Sequence, residues 1–158
     1  MAGGCRACYK SYNVKVPKIP LSGYREENIF KIFLFDIGLL GSMIDLSQKT
    51  IMERNRLFSE YNGAFTESFV AQELKAHYNK DLYYWSAKSS AEIDFLIQFH
   101  EQVFPLEVKS GFSKKKKSLK IYAEKYQPDV LSRATLMNFK HDGKIKNYPL
   151  YGISLFPN

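Results

Sequence analysis

The chain has 158 residues, 45% hydrophobic and 15% aromatic, with a formal net charge of +7 and a pI near 9.3. That length suits one domain, or a domain with a subdomain, and 23 Phe and Tyr residues exclude an intrinsically disordered chain. The most apolar run, Ile29 to Ile44, is interrupted by Lys31 and Asp36 and is too short to span a bilayer, and the N-terminus lacks the apolar segment of a secretory signal. The expectation is a soluble cytoplasmic protein with no membrane partner. Cys5 and Cys8 have the spacing of half a zinc site, but no second Cys or His pair follows at ligand spacing, and they read as reduced thiols.

Tyr12 to Val16 predicts a short strand that Pro17 and Pro20 end, because proline cannot donate to a ladder. Phe30 to Phe35 predicts a second strand, after which Asp36 caps a short helix over 37–44 rather than serving as a ligand. Gly38 and Gly41 weaken that helix, so packing must hold it. A further helix is expected over 48–58, with Arg54 and Arg56 available to a phosphate or a surface ion pair. Asn62 to Tyr78 carries the clearest helical period, through Phe65, Phe69, Val70, Leu74 and Tyr78. Glu67 precedes Val70, Ala71 and Leu74 by three, four and seven residues and so projects from their face, either as a first-turn acid meeting the helix dipole or as a metal-site acid. Glu73 reads as a surface charge.

Leu82 to Trp85 predicts the first core strand, with Trp85 packed inside rather than offered as a base-stacking platform. A polar turn, Ser86 to Ser90, leads into a hairpin: Ile93 to Phe99 and Val103 to Val108, joined by His100-Glu101-Gln102 and followed by the Ser110-Gly111 turn signal. Three charged residues are set in these apolar runs. Side chains alternate along a strand, so Glu107 and Lys109 share one face while Leu106 and Val108 fill the other, and Asp94 is flanked by Ile93 and Phe95. Lone charges are costly to bury unless paired or bound to a metal, and neighbouring carboxylates raise one another's pKa, a difficulty a divalent cation removes. Oxygen ligands suit Mg²⁺ or Mn²⁺, which also bind phosphodiester oxygens. The expected chemistry is metal-assisted phosphodiester hydrolysis of DNA, with Asp94 and Glu107 holding the ion and Lys109 orienting the water or stabilising charge on phosphate. Glu92 is a second ligand or, as we favour, a surface acid at the strand start.

From Lys109 to Lys125 there are seven lysines and one acid, Glu124. Lys114, Lys115, Lys116, Lys117 and Lys120 therefore suit a polyanion such as DNA, the alternative being a solvated helix face. A helix is expected from Ser113 to just before Pro128, then a strand over 133–139, a turn at Asp142-Gly143, and a last strand over 145–155 interrupted by Pro149. From Asn62 the order is helix, three strands, helix, strand, strand, an α/β arrangement with the acids on adjacent central strands.

Asp94 followed by Glu107-Val108-Lys109 resembles the PD-(D/E)XK nuclease motif, with Glu-Ile-Asp in place of the usual Pro-Asp. Together with Asn62-Gly63-Ala64-Phe65-Thr66-Glu67-Ser68-Phe69-Val70, Tyr84-Trp85-Ser86, Ala91 to Ile97 and Pro105 to Gly111, it is similar to the uncharacterised C-terminal domain of prokaryotic AAA-type ATPases, over roughly Tyr9 to the end. The resemblance implies a restriction-endonuclease-like αβββαβ core over 62–158, a small N-terminal α/β extension over 1–61, and Glu67 as an acid supplied to the metal site by the preceding helix. It also implies that an ATPase domain of the same longer protein is a partner; no phosphate-loop motif occurs here, so no ATPase activity is expected of this chain. The competing readings are a catalytically silent DNA- or protein-binding module, and a structural role in which Lys109 is the buried partner of Glu107 or Asp94.

Overall fold

The longest helix forms where the apolar period is strongest. In a computed structural model, which describes residues 7–45, 62–87, 91–110 and 117–157, α2 spans Asn62–Tyr78. It follows β1 (Cys8–Val14), β2 (Arg25–Leu34) and α1 (Ile37–Met43), and precedes β3 (Leu82–Ala87), β4 (Ala91–Phe99), β5 (Gln102–Val108), α3 (Lys117–Tyr126), β6 (Leu131–Thr135), β7 (Lys140–Asp142) and β8 (Ile145–Pro149). Cys5, Arg54, Arg56, the helix expected over 48–58, the helix start expected at Ser113 and Lys114, Lys115 and Lys116 lie outside the described residues.

The fold is α/β, with a mixed sheet ordered β2-β1-β3-β4-β5-β6-β8-β7. β1 runs parallel to β3, β5 parallel to β6 and β6 parallel to β8; the other pairs are antiparallel. On one face Val70, Ala71 and Leu74 of α2 pack with Phe33, Phe95, Ile97, Leu106 and Val108, joined by Ile153 and Phe156 from the chain end. On the other, Leu119 and Tyr122 of α3 pack with Trp85, Ile93 and Leu96. Trp85 is core, as its sequence context implies, and its indole N–H donates to the Tyr126 hydroxyl at 3.0 Å.

Several boundaries differ from expectation for reasons of hydrogen bonding. β2 begins at Arg25, five residues before the expected Phe30, because it pairs antiparallel with β1, through Cys8↔Leu34 to Tyr12↔Phe30 and, past a register shift, Val14↔Arg25. β1 accordingly starts at Cys8 and ends at Val14 instead of covering 12–16. β6 stops at Thr135 because its hydroxyl accepts from the Met137 N–H, while the Asn147 amide donates to the carbonyls of Met137 and Asn138, turning the chain out of the ladder. β8 ends at Pro149, and 150–155 continue as a 3₁₀ segment instead of a strand. Asp36 is the N-cap of α1, its Oδ1 accepting from the Leu39 N–H at 2.8 Å. The turn between β7 and β8 uses Gly143 at φ +59°, the left-handed region that glycine enters freely.

The feature that positions the site is an irregularity in β4. Tyr83 pairs with Leu96 but Trp85 pairs with Ile93, so β4 spends one more residue than β3 across this interval. The extra residue is a β-bulge at Asp94-Phe95, a device that re-aims a side chain and bends the strand. The β4–β5 ladder runs from Phe99↔Gln102 to Phe95↔Leu106, and there the Asp94 side chain takes over from the backbone.

Candidate acid and lysine site

Asp94 Oδ2 accepts from the Val108 N–H at 2.6 Å, which ties the carboxyl to the peptide that joins Glu107 to Val108. The first acid of the expected motif is thus bonded to the backbone of the second half. Asp94 is only 7% exposed, and its carboxyl is pushed up to about 7, first by burial and then by the nearby charge of Glu67; the Val108 N–H, Lys31 and Lys109 act in the opposite direction.

Glu107 is 1% exposed and faces away from Leu106 and Val108, which join the α2 core. Its Oε1 lies 3.1 Å from Lys109 Nζ, as two residues on one strand face should, and its Oε2 lies 3.6 Å from Nε of Arg133, its register partner on β6. Glu107 Oε2 makes no hydrogen bond among the described residues. Lys109 is anchored through its backbone N–H to the Ala134 carbonyl at 2.9 Å, while its side chain stays about one-third exposed and reaches toward solvent.

Glu67 sits on the second turn of α2, facing the sheet as its spacing predicts. Its Oε2 is 3.4 Å from Nζ of Lys31 on β2, and that same ammonium hydrogen-bonds Glu92. Glu92, read from the sequence as a surface acid, is therefore part of the cluster. Burial pushes the Lys31 ammonium down, but Glu67, Glu92 and Asp94 outweigh it and hold the pKa above the ordinary value.

The arrangement is layered. Glu67, Glu92 and Lys31 stand on the α2 side, Glu107, Lys109 and Arg133 on the α3 side, and Asp94 lies between them at the bulge, within electrostatic reach of Glu67, Lys31 and Lys109. Among the described residues no three His, Cys, Asp or Glu side chains converge into a group that holds a metal ion unaided. The three expected acids are thus brought into one region but do not close around a common point. Lys117 and Lys120 are exposed on α3, with Lys120 3.9 Å from Glu124.

Two members escaped the sequence reading. Lys31 carried the signal used for Lys109, a charge inside an apolar strand, but it lies in the Ile29 to Ile44 run, where it read only as an interruption. Arg133 opened a predicted strand and had no visible partner, since its pairing with Glu107 depends on the parallel β5–β6 register.

Fold and site together define an α/β domain whose mixed sheet carries an acid and lysine constellation where two central strands part. The chain belongs to the family described as Domain of unknown function (DUF4143), whose model matches residues 62–152. It is similar to uncharacterized proteins of Mycobacterium bovis and Mycobacterium tuberculosis, 31% identical to each over 88 residues, which cover 55% of this chain and 19% of each relative. The match therefore spans about a fifth of the length of those relatives. No solved structure matches the chain significantly. No helix among the described residues is long and apolar enough to cross a membrane.

Proposed function

We propose that this chain is a nuclease-like domain with a restriction-endonuclease-like core, and that it hydrolyses DNA phosphodiesters with the help of a divalent metal. The observation that carries the reading is the 2.6 Å bond between the Asp94 carboxyl and the Val108 N–H, which couples the lone acid of one strand to the Glu-x-Lys of the next. The order helix, three strands, helix, strand from Asn62 supports the same reading.

Carboxylate oxygens are the donors that Mg²⁺ or Mn²⁺ takes, although among the described residues the acids do not already converge on one point. Asp94 is held at about 7 by burial and by Glu67, and Glu107 Oε2 is buried without a hydrogen bond; both are oxygens that a divalent charge would stabilise. Mg²⁺ is commonly bound by one or two carboxylates and completes its shell with water and substrate phosphate, so no three-acid cage is required. Asp94 and Glu107 would hold the ion, with Glu67 adding negative charge beside them. When bound, the ion supplies an activated water and neutralises charge developing on phosphorus.

The chain's own groups do the rest. The Val108 N–H fixes the Asp94 carboxylate in orientation, and Arg133 steadies Glu107 from behind. Lys109, a partly exposed cation beside Glu107, meets the incoming phosphate and stabilises its transition-state charge. Exposed Lys117 and Lys120 add attraction for the DNA backbone. An ATPase domain elsewhere in the same longer protein belongs to this proposal, supported by the sequence resemblance and by relatives much longer than the matched segment.

The test is incubation of the chain with plasmid and linear DNA in Mg²⁺ and in Mn²⁺. Wild type is expected to cleave, and Asp94→Asn and Lys109→Ala to lose at least about a hundredfold in rate, the scale of a lost transition-state contact. Equal behaviour of the three proteins overturns the catalytic reading. A second reading, a catalytically silent module that binds DNA or a protein partner, is favoured by one observation: Lys31, Lys109 and Arg133 already stand against Glu67, Glu92 and Glu107. DNA binding without cleavage would select it.

A further inference from the structure

We propose that β2 is a self-pairing edge: two copies of the chain join antiparallel along it, about a two-fold axis at Ile29, and so continue one sheet into the other. The inference goes beyond the nuclease-like reading and does not depend on it.

The sheet ends in two strands of opposite character. β7 is Lys140-His141-Asp142, short, polar and exposed throughout, which is how natural sheets discourage a further strand. β2 is ten residues long, and among the described residues no strand lies on its outer side. It contains no proline, and Ile29, Phe30 and Ile32 are exposed at 47%, 37% and 60%. A long apolar edge with open peptide groups is a template for another strand.

The pairing with β1 decides which peptide groups are on offer. The Phe35 N–H donates to the Ala7 carbonyl at 3.0 Å, continuing the ladder that sets Leu34 opposite Cys8 and Phe33 opposite Tyr9. Inward and outward groups alternate along an antiparallel strand, so the peptide groups of Phe33 and Lys31 bond inward to β1, while those of Leu34, Ile32 and Phe30 point to the open side. A second β2 must therefore pair even-numbered residues with even-numbered ones. With the axis at Ile29, that residue meets itself, Phe30 lies diagonal to the partner's Phe30 within reach of an aromatic ring, and the Glu27 carboxylate faces Lys31, whose side chain is about a quarter exposed. An axis at Asn28 would set Arg25 against Lys31, one at Phe30 would set Glu27 against Phe33, and one at Lys31 would set that lysine against itself. Of these four, only the Ile29 axis opposes unlike charges, and an edge that complements itself about a two-fold axis calls for a second copy as its partner.

The experiment is multi-angle light scattering of the full chain over a concentration series reaching several hundred micromolar, with enough salt to screen repulsion between two chains of net charge +7. Wild type is expected to rise from the monomer toward twice its mass. Ile29→Lys, checked for native circular dichroism, is expected to associate at least about tenfold more weakly, because it places two ammonium groups face to face across the axis. As a second readout, Ile29→Cys under mild oxidation should cross-link copy to copy through the introduced thiol, located by peptide mass spectrometry. Glu27→Cys should not, because residue 27 faces residue 31. A wild type that stays monomeric throughout, a dimer that survives Ile29→Lys, or cross-linking of Glu27→Cys as fast as Ile29→Cys overturns the proposal.

Discussion

Asp94 is a carboxyl that the folded protein prefers to keep protonated. Its pKa stands at about 7 against an ordinary 3.8, chiefly through burial and then through Glu67. The sign follows from proton binding: between pH 4 and pH 7, roughly, the unfolded chain releases a proton that the folded chain retains, so this residue lowers stability as pH rises through that window. Asparagine at the same position cannot ionise, yet keeps a carbonyl oxygen for the Val108 N–H. Asp94→Asn is therefore expected to match wild type near pH 4 in urea unfolding and to exceed it by on the order of 2 kcal/mol at pH 8. Parallel stability curves across that range would show that burial does not govern the group. Asp94 and Glu107 were legible in the sequence because a charge in an apolar strand has few innocent explanations. Lys31 offered the same signal, but the acids that explain it, Glu67 and Glu92, are 36 and 61 residues away along the chain.

Elements held by local periodicity were legible, and elements held by distant partners were not. α2 covers the residues that the apolar spacing marks and stops at Tyr78, and β3, β4 and β5 follow from alternation and turn residues. β2 was read short because Arg25-Glu26-Glu27 is polar, as an edge strand allows, and only pairing with β1 makes it strand. The bulge at Asp94 was invisible to a reading that assumes a period of two, since the extra residue shows only against Tyr83 and Trp85 across the ladder. The outer face of β4 is covered by α3, where Leu119 is fully buried against the core of Trp85, Ile93 and Leu96, and Tyr122 packs edge-on to Trp85 at 5.3 Å. Leu119→Ala removes three side-chain carbons from a closed cluster and should cost about 2–5 kcal/mol, read as a lower urea midpoint at unchanged slope. A loss below about 1 kcal/mol would mean that α3 is not fastened to the sheet through this residue.

The whole molecule sets an acidic, partly buried centre within a chain of net charge +7, and much of the excess charge follows the Glu-x-Lys strand directly. Lysines that merely solvate a helix would be balanced by nearby acids, but on α3 only Glu124 stands near Lys120, and Lys117 is exposed at the helix start. A surface of this kind attracts phosphate without reading bases, so its affinity for duplex DNA should be steeply salt-dependent, each phosphate contact contributing about 0.9 to the slope of log affinity against log salt. Replacing Lys117 and Lys120 by Ala should weaken binding at low salt and flatten that slope by about 1 to 2, with no change in preference among DNA sequences. Fluorescence anisotropy of a labelled duplex across a salt series measures both quantities. An unaltered slope would remove α3 from the DNA-facing surface, and undetectable binding at low salt would count against DNA as the partner under either functional reading. Because these lysines are not among the residues proposed to hold the ion or meet the reacting phosphate, the same variant separates attraction from chemistry: cleavage should weaken with binding yet recover at saturating protein, whereas loss of Lys109 should not be rescued by concentration.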